Sequence, residues 1–281
     1  MKRLFSITLI LLLFALYMVL FCCVPFVILG NPWGILLGFF GSVMLLFTLF
    51  YQADRKIFLQ LSLEPLSRAE APEIYHVLEK GCRRLNITEP SIARLKSEAL
   101  NIGVFGLTQG RTFLIVTDGL LNKVNRSQLT ALVGRELTSI YYGDSLLSSW
   151  LARFLGLLEK ASLPSKTMSS KHRSFYSIRW VVTRMVFVPI AIIPETLLLK
   201  IRRKINLDME SIKLTRLPSE LAESYRLIEA SSARACLKAP VSLSPLFLAS
   251  LHQSDPISKL IISHSSHSRL LDSIKELRQY S

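Results

Sequence analysis

The N-terminal part of the sequence lacks charge. Between Leu4 and Ala53 there is no Asp, Glu, Lys, Arg or His, in a chain of 281 residues of which 19% are charged. A charge-free stretch of this length can hold two bilayer crossings of about 20 residues each. Because 50% of the residues are apolar and the mean hydropathy is +0.38, the composition excludes a disordered chain and predicts an integral membrane protein.

Cysteine is scarce, with four residues in the chain. Cys22 and Cys23 lie in the charge-free stretch, while Cys82 and Cys236 are far apart in the sequence. This spacing provides neither a CxxC metal pair nor the disulfide framework of a small secreted domain. It favours buried, apolar cysteines in a reducing compartment.

Two apolar runs, at 4–29 and 35–51, flank the turn-like segment Gly30–Gly34. They predict a transmembrane helical hairpin that makes up the first domain, residues 1–53. The second domain is then 54–281, which is long enough to bury a core of its own.

Basic residues on both sides of this hairpin predict its orientation. Lys2 and Arg3 precede the first run, and Arg55 and Lys56 follow the second. By the positive-inside rule both flanks lie in the cytoplasm. We therefore predict a multi-pass protein of the inner (cytoplasmic) membrane whose main domain is cytoplasmic.

Acidic residues are fewer than basic ones. The chain has 34 Lys and Arg residues and 20 Asp and Glu residues, which gives a formal net charge of +14. Each basic residue close to an anionic bilayer surface contributes about 1 kcal/mol of attraction. The sequence contains no nucleic-acid-binding motif. The expected partners are thus the lipid bilayer and its anionic surface, and not nucleic acid.

The second domain has mixed helical and strand patterns. Residues 67–85 predict a helix with Ser67 as N-cap and Glu70 three residues later. Residues 91–95 and 112–117 are strand-like and enclose a glycine-rich stretch, which predicts a hairpin or short sheet. A further helix is predicted from Ser127, which is placed to cap it.

The stretch from 146 to 199 permits two interpretations. Residues 146–158 and 180–199 are apolar but contain charged residues such as Arg184 and Glu195. They form either a second membrane hairpin or an apolar helix pair on the membrane face of the domain, because each charge within a span costs about 2.5 to 3.5 kcal/mol. Beyond 207 we expect helices broken at prolines, namely Pro218, Pro240, Pro245 and Pro256.

The block from Ser97 to Asp144 resembles the core of the HtpX-like membrane zinc metallopeptidases, relatives of the CAAX prenyl proteases. The family's glycine-rich edge segment is followed by a strand, a T-x-G-L-L step and a zinc-binding helix. The residues that match the step, the helix approach and the helix exit are Thr117, Gly119, Leu120, Leu121, Leu129, Ala131, Leu132, Val133, Gly143 and Asp144. The resemblance implies an α+β, mostly helical, minigluzincin-like domain tethered by an N-terminal transmembrane hairpin, with zinc as the family's cofactor.

The zinc ligands of that family are replaced in this sequence. The family's H-E-x-x-H motif presents two imidazoles one helical turn apart and a Glu as general base. Here the matching residues are Arg135, Glu136 and Ser139, and Lys204 stands where the family has its ligand Glu. A guanidinium and an ammonium offer no lone pair to a metal, so we predict that no metal and no cofactor is bound. Asp208 matches the family's conserved Asp, which supports the ligands.

Glu136 is the one retained member of the catalytic motif. It is either a general base that acts without a metal or the counter-ion of Arg135 or Lys204. We favour the counter-ion, because a carboxylate that is paired with a cation is ionised and is a poor base.

The resemblance also implies a substrate groove that includes Asn101, Gly103 and His264. His264 matches the family's late T-H-P-P element, although His264 and His267 more closely fit a serine-rich helix N-terminus. We therefore predict a proteolytically inactive homologue that binds a substrate or partner at the membrane, such as a membrane protein or an unfolded peptide segment. One alternative is an active endopeptidase of protein quality control, with an unconventional metal site or metal-free Glu136 chemistry. The other is a basic membrane scaffold.

Overall fold

A computed structural model describes Thr8 and residues 30–50, 53–108, 111–162, 207–232, 237 and 239–249. These residues belong to two compact units, Met1–Gln60 and Leu61–Ser281. Four predicted features lie outside the described residues. They are the first predicted span at 4–29, of which only Thr8 is described, the stretch 180–199, Lys204 and His264.

The first unit contains an apolar helix where the second membrane span is predicted. Helix α1 (Trp33–Phe50) has 18 residues. Large apolar side chains project from it into solvent, among them Trp33, Leu37, Phe40 and Met44. Over the described residues, no helix combines the length and the apolar character that a membrane crossing needs. That α1 spans a bilayer stays a prediction.

Helix α2 (Ala53–Leu61) leads into the second unit, which is mostly helical with one small sheet. Its strands are β1 (Glu64–Pro65), β2 (Ser91–Leu95), β3 (Ile102–Thr108) and β4 (Arg111–Thr117), in the order β1-β2-β4-β3. The two predicted strands are confirmed as β2 and β4. The mostly helical α+β prediction is likewise confirmed for the described residues.

The sheet pairs its strands in both directions. β2 runs parallel to β4, with Ile92 opposite Leu114, while β1 is antiparallel to β2. β3 is antiparallel to β4, with Ile102 opposite Val116 and an irregularity after Gly106. The glycine-rich stretch that the sequence places between strands is thus itself a strand, and it forms one edge of the sheet.

Helix α3 (Pro72–Leu85) begins five residues later than predicted. Ser67 donates its backbone N–H and its hydroxyl to the Glu70 carboxylate, at 2.8 and 2.7 Å, which closes a separate turn. The helix itself starts at Pro72, because proline is tolerated in the first helical turn, where its missing N–H has no partner to lose.

Helix α4 (Asp118–Lys123) is short and is capped by the Thr117 hydroxyl. Helix α5 (Arg126–Tyr142) follows, and its N-cap is Asn125, which forms a capping box with Gln128. The prediction that Ser127 caps this helix is therefore wrong by two residues, because Ser127 already lies in the first turn. Gly143 ends α5 in the left-handed conformation, at φ 78°.

Helices α6 (Asp144–Ser162), α7 (Leu207–Thr215) and α8 (Pro218–Ser232) complete the helical part, followed by a 3-10 helix at Val241–Leu246. Pro218 begins α8 and Pro245 lies in the 3-10 helix. Pro240 is the N-cap of the 3-10 helix, and Pro256 is outside the described residues.

Helix α5 is the centre of the second unit, because it contacts α3, α6, α7 and α8. Its apolar face joins the sheet in a core that includes Leu78, Ile102, Leu114, Leu132 and Leu137. Gly134 lets α7 approach closely, since a Cβ at this position would lie 2.2 Å from Thr215 Cγ2. This close approach is made by the last residue of α7, while Asp208 at the start of α7 lies beside Arg135 of α5.

Candidate functional site

The predicted ion pair between Arg135 and Glu136 is present. Arg135 Nη1 lies 2.6 Å from Glu136 Oε1, and the two side chains are 17% and 3% exposed. Adjacent helical residues do not normally face each other, so the long Arg135 side chain must fold back over its neighbour. Of the two counter-ions predicted for Glu136, the structure shows Arg135, and Lys204 lies outside the described residues.

Asp208, from the start of α7, is the second carboxylate beside the guanidinium. Arg135 Nε lies 3.5 Å from Asp208 Oδ1, but this N–H makes no hydrogen bond within the described part of the chain. The contact is therefore electrostatic. It brings Arg135 of α5 and Asp208 of α7 together.

Tyr225 of α8 completes the arrangement around Asp208. Its hydroxyl donates to Asp208 Oδ1 at 2.7 Å, and the ring is fully buried. Burial, and then the charge of Asp208, raises the pKa of Tyr225 well above its ordinary value. The phenol is thus a permanent hydrogen-bond donor that holds the Asp208 carboxylate beside Arg135.

Ser139 lies one turn further along α5 and has a different partner. Its hydroxyl donates to Asp144 Oδ2 at the long distance of 3.4 Å. Ser139 and Asp144 are both buried. The position that carries the second zinc-binding His in the family is therefore occupied by a hydroxyl that bonds a carboxylate at the start of α6.

The charge of Arg135 is fixed by these neighbours. Burial works to lower the pKa of Arg135, but the Glu136 carboxylate, followed by Tyr225, Asp208 and Asp144, raises that pKa well above its ordinary value. The side chain is a permanent monocation. One guanidinium thus contacts the carboxylates of Glu136 and Asp208 and interacts electrostatically with that of Asp144, and we call these four residues the Arg135 cluster.

These residues do not fit a zinc ion. In zinc sites the ligands are thiolate, imidazole or carboxylate groups at about 2.0 to 2.3 Å, whereas a guanidinium has no lone pair to donate. Across the described residues, no three His, Cys, Asp or Glu side chains are grouped so that they could hold a metal ion. The third ligand position, Lys204, lies outside those residues, and its role stays a prediction.

Asn101 and Gly103, the two predicted groove residues that the structure describes, lie together at the N-terminal end of β3. The Asn101 side chain is 2% exposed, and it accepts from Ala249 N at 3.1 Å and donates to Ala249 O at 3.2 Å. Gly103 forms an isolated antiparallel bridge with Phe247. Both residues therefore contact the chain's own segment Leu246–Ala249.

Sequence reasoning missed Tyr225 and Leu246–Ala249. Tyr225 carries no motif and follows only the apolar pattern of α8, so no signal in one sequence identifies its bond to Asp208. The segment had a signal, because an apolar run that follows Pro245 and precedes a polar stretch is typical of a short strand.

Comparison with known proteins gives several similar chains that share one description. A protein described as a protease HtpX homologue from Trichormus variabilis is 23% identical over 268 residues, which are 92% of this chain and 92% of the relative. A homologue of the same description from Lactobacillus helveticus is 24% identical, and the alignment covers 89% of this chain and 88% of the relative. Another, from Dictyoglomus turgidum, is 28% identical, with 94% of this chain and 88% of the relative covered. No protein-family model matches the chain.

Among solved structures, a crystal structure of S. mikatae Ste24p is similar, with a TM-score of 0.46 and 15% sequence identity. The similarity covers 97% of this chain, which spans 64% of the Ste24p chain.

Proposed function

Because this chain belongs to the HtpX-like protease family, we propose that it is a membrane protein that has lost peptidase chemistry and binds a peptide or protein partner. The observation that carries this proposal is the buried pair of Arg135 and Glu136, joined at 2.6 Å. In the family's motif the first residue binds zinc and the second is the general base. Here they neutralise each other.

The pairing of Arg135 with Glu136 removes both functions of the motif, zinc binding and general-base catalysis. A metalloprotease base must accept a proton from a water molecule that the metal has acidified. The Glu136 oxygen instead accepts a charge-assisted hydrogen bond from Arg135 Nη1, which stabilises the ionised carboxylate and weakens it as a base. A guanidinium beside the carboxylates also repels a dication from the same place.

The cluster has a structural role in this proposal. In the family a metal ion draws ligands from α5 and from the later helical segment together; here the Arg135 guanidinium contacts Glu136 on α5 and Asp208 on α7. One monocation then holds the frame of the site without any metal. The helices that line the former catalytic site are kept in place, and the surface they form remains available to a partner.

Peptidase activity is the direct test, with β-casein as an unfolded protein substrate. We expect the purified wild-type protein and the Glu136→Gln variant to leave casein intact over hours, because neither holds an activated water. The Gln side chain keeps an acceptor for Arg135 while it removes the carboxylate. The measurement is the loss of intact casein by gel electrophoresis, with and without 1,10-phenanthroline.

Cleavage that Glu136→Gln abolishes would contradict this proposal and favour the active-enzyme alternative. Inhibition by phenanthroline would then indicate a metal held by other ligands, and resistance to it would indicate metal-free chemistry at Glu136.

The membrane location is supported by family membership and by α1. The large side chains on this helix are apolar and solvent-exposed, with Trp33 and Met44 both at 70% exposure. Apolar surface of this extent is unfavourable in water, and a lipid environment removes the penalty. The excess of basic residues adds attraction to anionic lipid.

The proposed topology places both the N-terminus and the residues after Lys56 in the cytoplasm. Alkaline phosphatase folds only outside the inner membrane, whereas green fluorescent protein becomes fluorescent in the cytoplasm. When each reporter is fused after Lys56, we expect the phosphatase to be inactive and the fluorescent protein to be bright. An active phosphatase with a dark fluorescent protein would overturn this orientation.

A further inference from the structure

Helix α2 has two opposite faces of unlike character. Ile57 and Leu61, which lie one turn apart, are buried. Arg55 and Leu59, which also lie one turn apart, are exposed. Because a helix has about 3.6 residues per turn, these two pairs of side chains point in opposite directions. The protein therefore covers one side of α2 and leaves the other side open, and we call the open side, Arg55 and Leu59, the outer face.

The outer face carries an apolar side chain of high exposure. Among the exposed large apolar side chains of the described residues, Leu59 has the largest exposed fraction, 72%. A single exposed leucine is common on soluble proteins and needs no explanation by itself. What α2 contacts is therefore inferred from the neighbours of Leu59 and from the position of α2 in the chain.

Basic and apolar side chains lie together on and around the outer face. Arg55 precedes Leu59 by one turn, and the half-buried Lys56 and Phe58 flank the face on its two sides. Helices that lie in a membrane interface have this composition, because their apolar side chains insert among the lipids. Their long basic side chains lie along the surface and keep the charge at the headgroups. The outer face thus fits a lipid surface better than it fits water.

The position of α2 in the chain places it near the end of α1. Helix α1 ends at Phe50 and α2 begins at Ala53, so the two ends are at most about 11 Å apart even if the chain between them is fully extended. The headgroup region on each side of a bilayer is about 5 to 8 Å thick. With α1 in lipid, as proposed above, α2 begins in the headgroup region or just beyond it.

The charge of the outer face is complementary to that of an anionic lipid. The guanidinium of Arg55 offers paired N–H donors, a geometry that matches the oxygens of a phosphate group. Lys56 adds a second positive charge beside Leu59. Anionic phospholipids attract such residues to the cytoplasmic leaflet. The lipid acyl chains at the same place accept the Leu59 side chain, which is unfavourable in water.

From these observations we infer that α2 lies flat on the membrane surface, with Leu59 inserted among the lipids and Arg55 bound to the phosphate of an anionic headgroup. The ligand class is an anionic glycerophospholipid. The inference rests on the proposed location of α1 in lipid, and it adds a lipid-binding face with named residues to that proposal.

The test measures how deep position 59 lies in a bilayer. The full-length protein, with its four cysteines replaced by Ala, carries Leu59→Cys labelled with an apolar nitroxide. It is reconstituted in vesicles of equal parts phosphatidylcholine and phosphatidylglycerol. Oxygen concentrates in lipid and a nickel chelate stays in water, so their relative effects on the label report its depth. We expect oxygen to reach the label at 59 more readily than nickel does.

Gln60→Cys is the matched control for depth. Gln60 is exposed, like Leu59, but it lies about 100° further around the helix. A label there should show a lower ratio of oxygen to nickel access than the label at 59. Equal ratios at the two positions would mean that the outer face does not enter the membrane, and they would overturn the inference.

Arg55→Gln tests the headgroup contact. A basic residue near an anionic surface favours the bound state about fivefold. In the mixed vesicles we therefore expect the ratio of docked to undocked α2, separated by the mobility of the label at 59, to fall about fivefold. In phosphatidylcholine alone the substitution should change this ratio little. An equal effect of Arg55→Gln in both kinds of vesicle would contradict binding to an anionic headgroup.

Leu37→Cys separates this inference from the proposed membrane location. Leu37 is exposed on α1, so a label there should be reached by oxygen and shielded from nickel if α1 lies in lipid. Nickel access at 37 would contradict the membrane location itself. Oxygen access at 37, together with equal ratios at 59 and 60, would overturn the inference about α2 alone. Dipolar broadening between labels at 59 would assign the outer face to a second copy of the chain, and would overturn it as well.

Discussion

Replacement of Arg135 by Ala is expected to destabilise the protein by about 3 kcal/mol, because removing one partner of a buried ion pair leaves the other charge uncompensated. Glu136 is 3% exposed and pairs with Arg135 at 2.6 Å, and Asp208 would lose the same cation. We place the effect at the lower end of the range since Arg135 retains some contact with solvent. The measurement is chemical or thermal unfolding in detergent, with intrinsic fluorescence as probe.

The chain offers a matched control in Arg83→Ala. Arg83 pairs with Glu79 at 2.6 Å on the surface of α3, where the two side chains are 78% and 40% exposed. Exposed pairs contribute about 0 to 1 kcal/mol, so this variant should unfold nearly as the wild type does. The double variant Arg135→Ala/Glu136→Gln should recover part of the loss, because it removes the buried charge as well. A loss for Arg135→Ala no larger than that for Arg83→Ala would show that the Arg135 cluster does not hold the helices together.

Restoring the family's ligands should create a zinc site. In the variant Arg135→His/Ser139→His/Lys204→Glu two imidazoles lie one turn apart on α5, and a carboxylate occupies the third position. Structural zinc sites contribute about 10 to 16 kcal/mol, and the lower limit corresponds to a dissociation constant of roughly 50 nM. We expect at least that affinity for the triple variant, measured by competition with a chelating dye.

The control for this experiment is Arg135→His/Ser139→Ala/Lys204→Glu, which lacks one imidazole and should bind zinc far more weakly. Negligible affinity in a folded triple variant would mean that the three positions do not converge, and the assignment of Lys204 would be the first to fail. Peptide cleavage is a separate matter, since loss of outer-shell partners lowers activity about 10 to 100-fold. Tyr225, which bonds Asp208, belongs to that outer layer here.

The part of the site that the sequence predicts is the part built from neighbouring residues. Arg135 and Ser139 lie one turn apart on α5, so helical geometry alone brings them to the same face, and Glu136 is the sequence neighbour of Arg135. The strands at 91–95 and 112–117 follow from short apolar runs, and a continuous run such as that of 112–117 is typical of a strand that is buried on both faces. These predictions depend on local sequence patterns, and the structure contains the predicted helix and strands.

The contacts that the sequence does not reveal join distant parts of the chain. The Asn101 side chain bonds the backbone N–H and C=O of Ala249, and backbone groups carry no residue-specific signal. Tyr225 reaches Asp208 only because α8 and α7 both pack on α5. The helix starts were misplaced for a different reason: Ser67 and Ser127 are good capping residues, but Pro72 and Asn125 provide stronger alternatives nearby.

The most direct test of the central claim, that a guanidinium has replaced the metal, is the zinc content of the purified wild-type protein. Elemental analysis after detergent extraction from zinc-supplemented cells gives the number of zinc ions per chain. We predict a substoichiometric value, close to that of a buffer control, because Arg135 and Ser139 occupy two ligand positions and Glu136 is paired. About one zinc per chain, lost on treatment with a chelator, would contradict it.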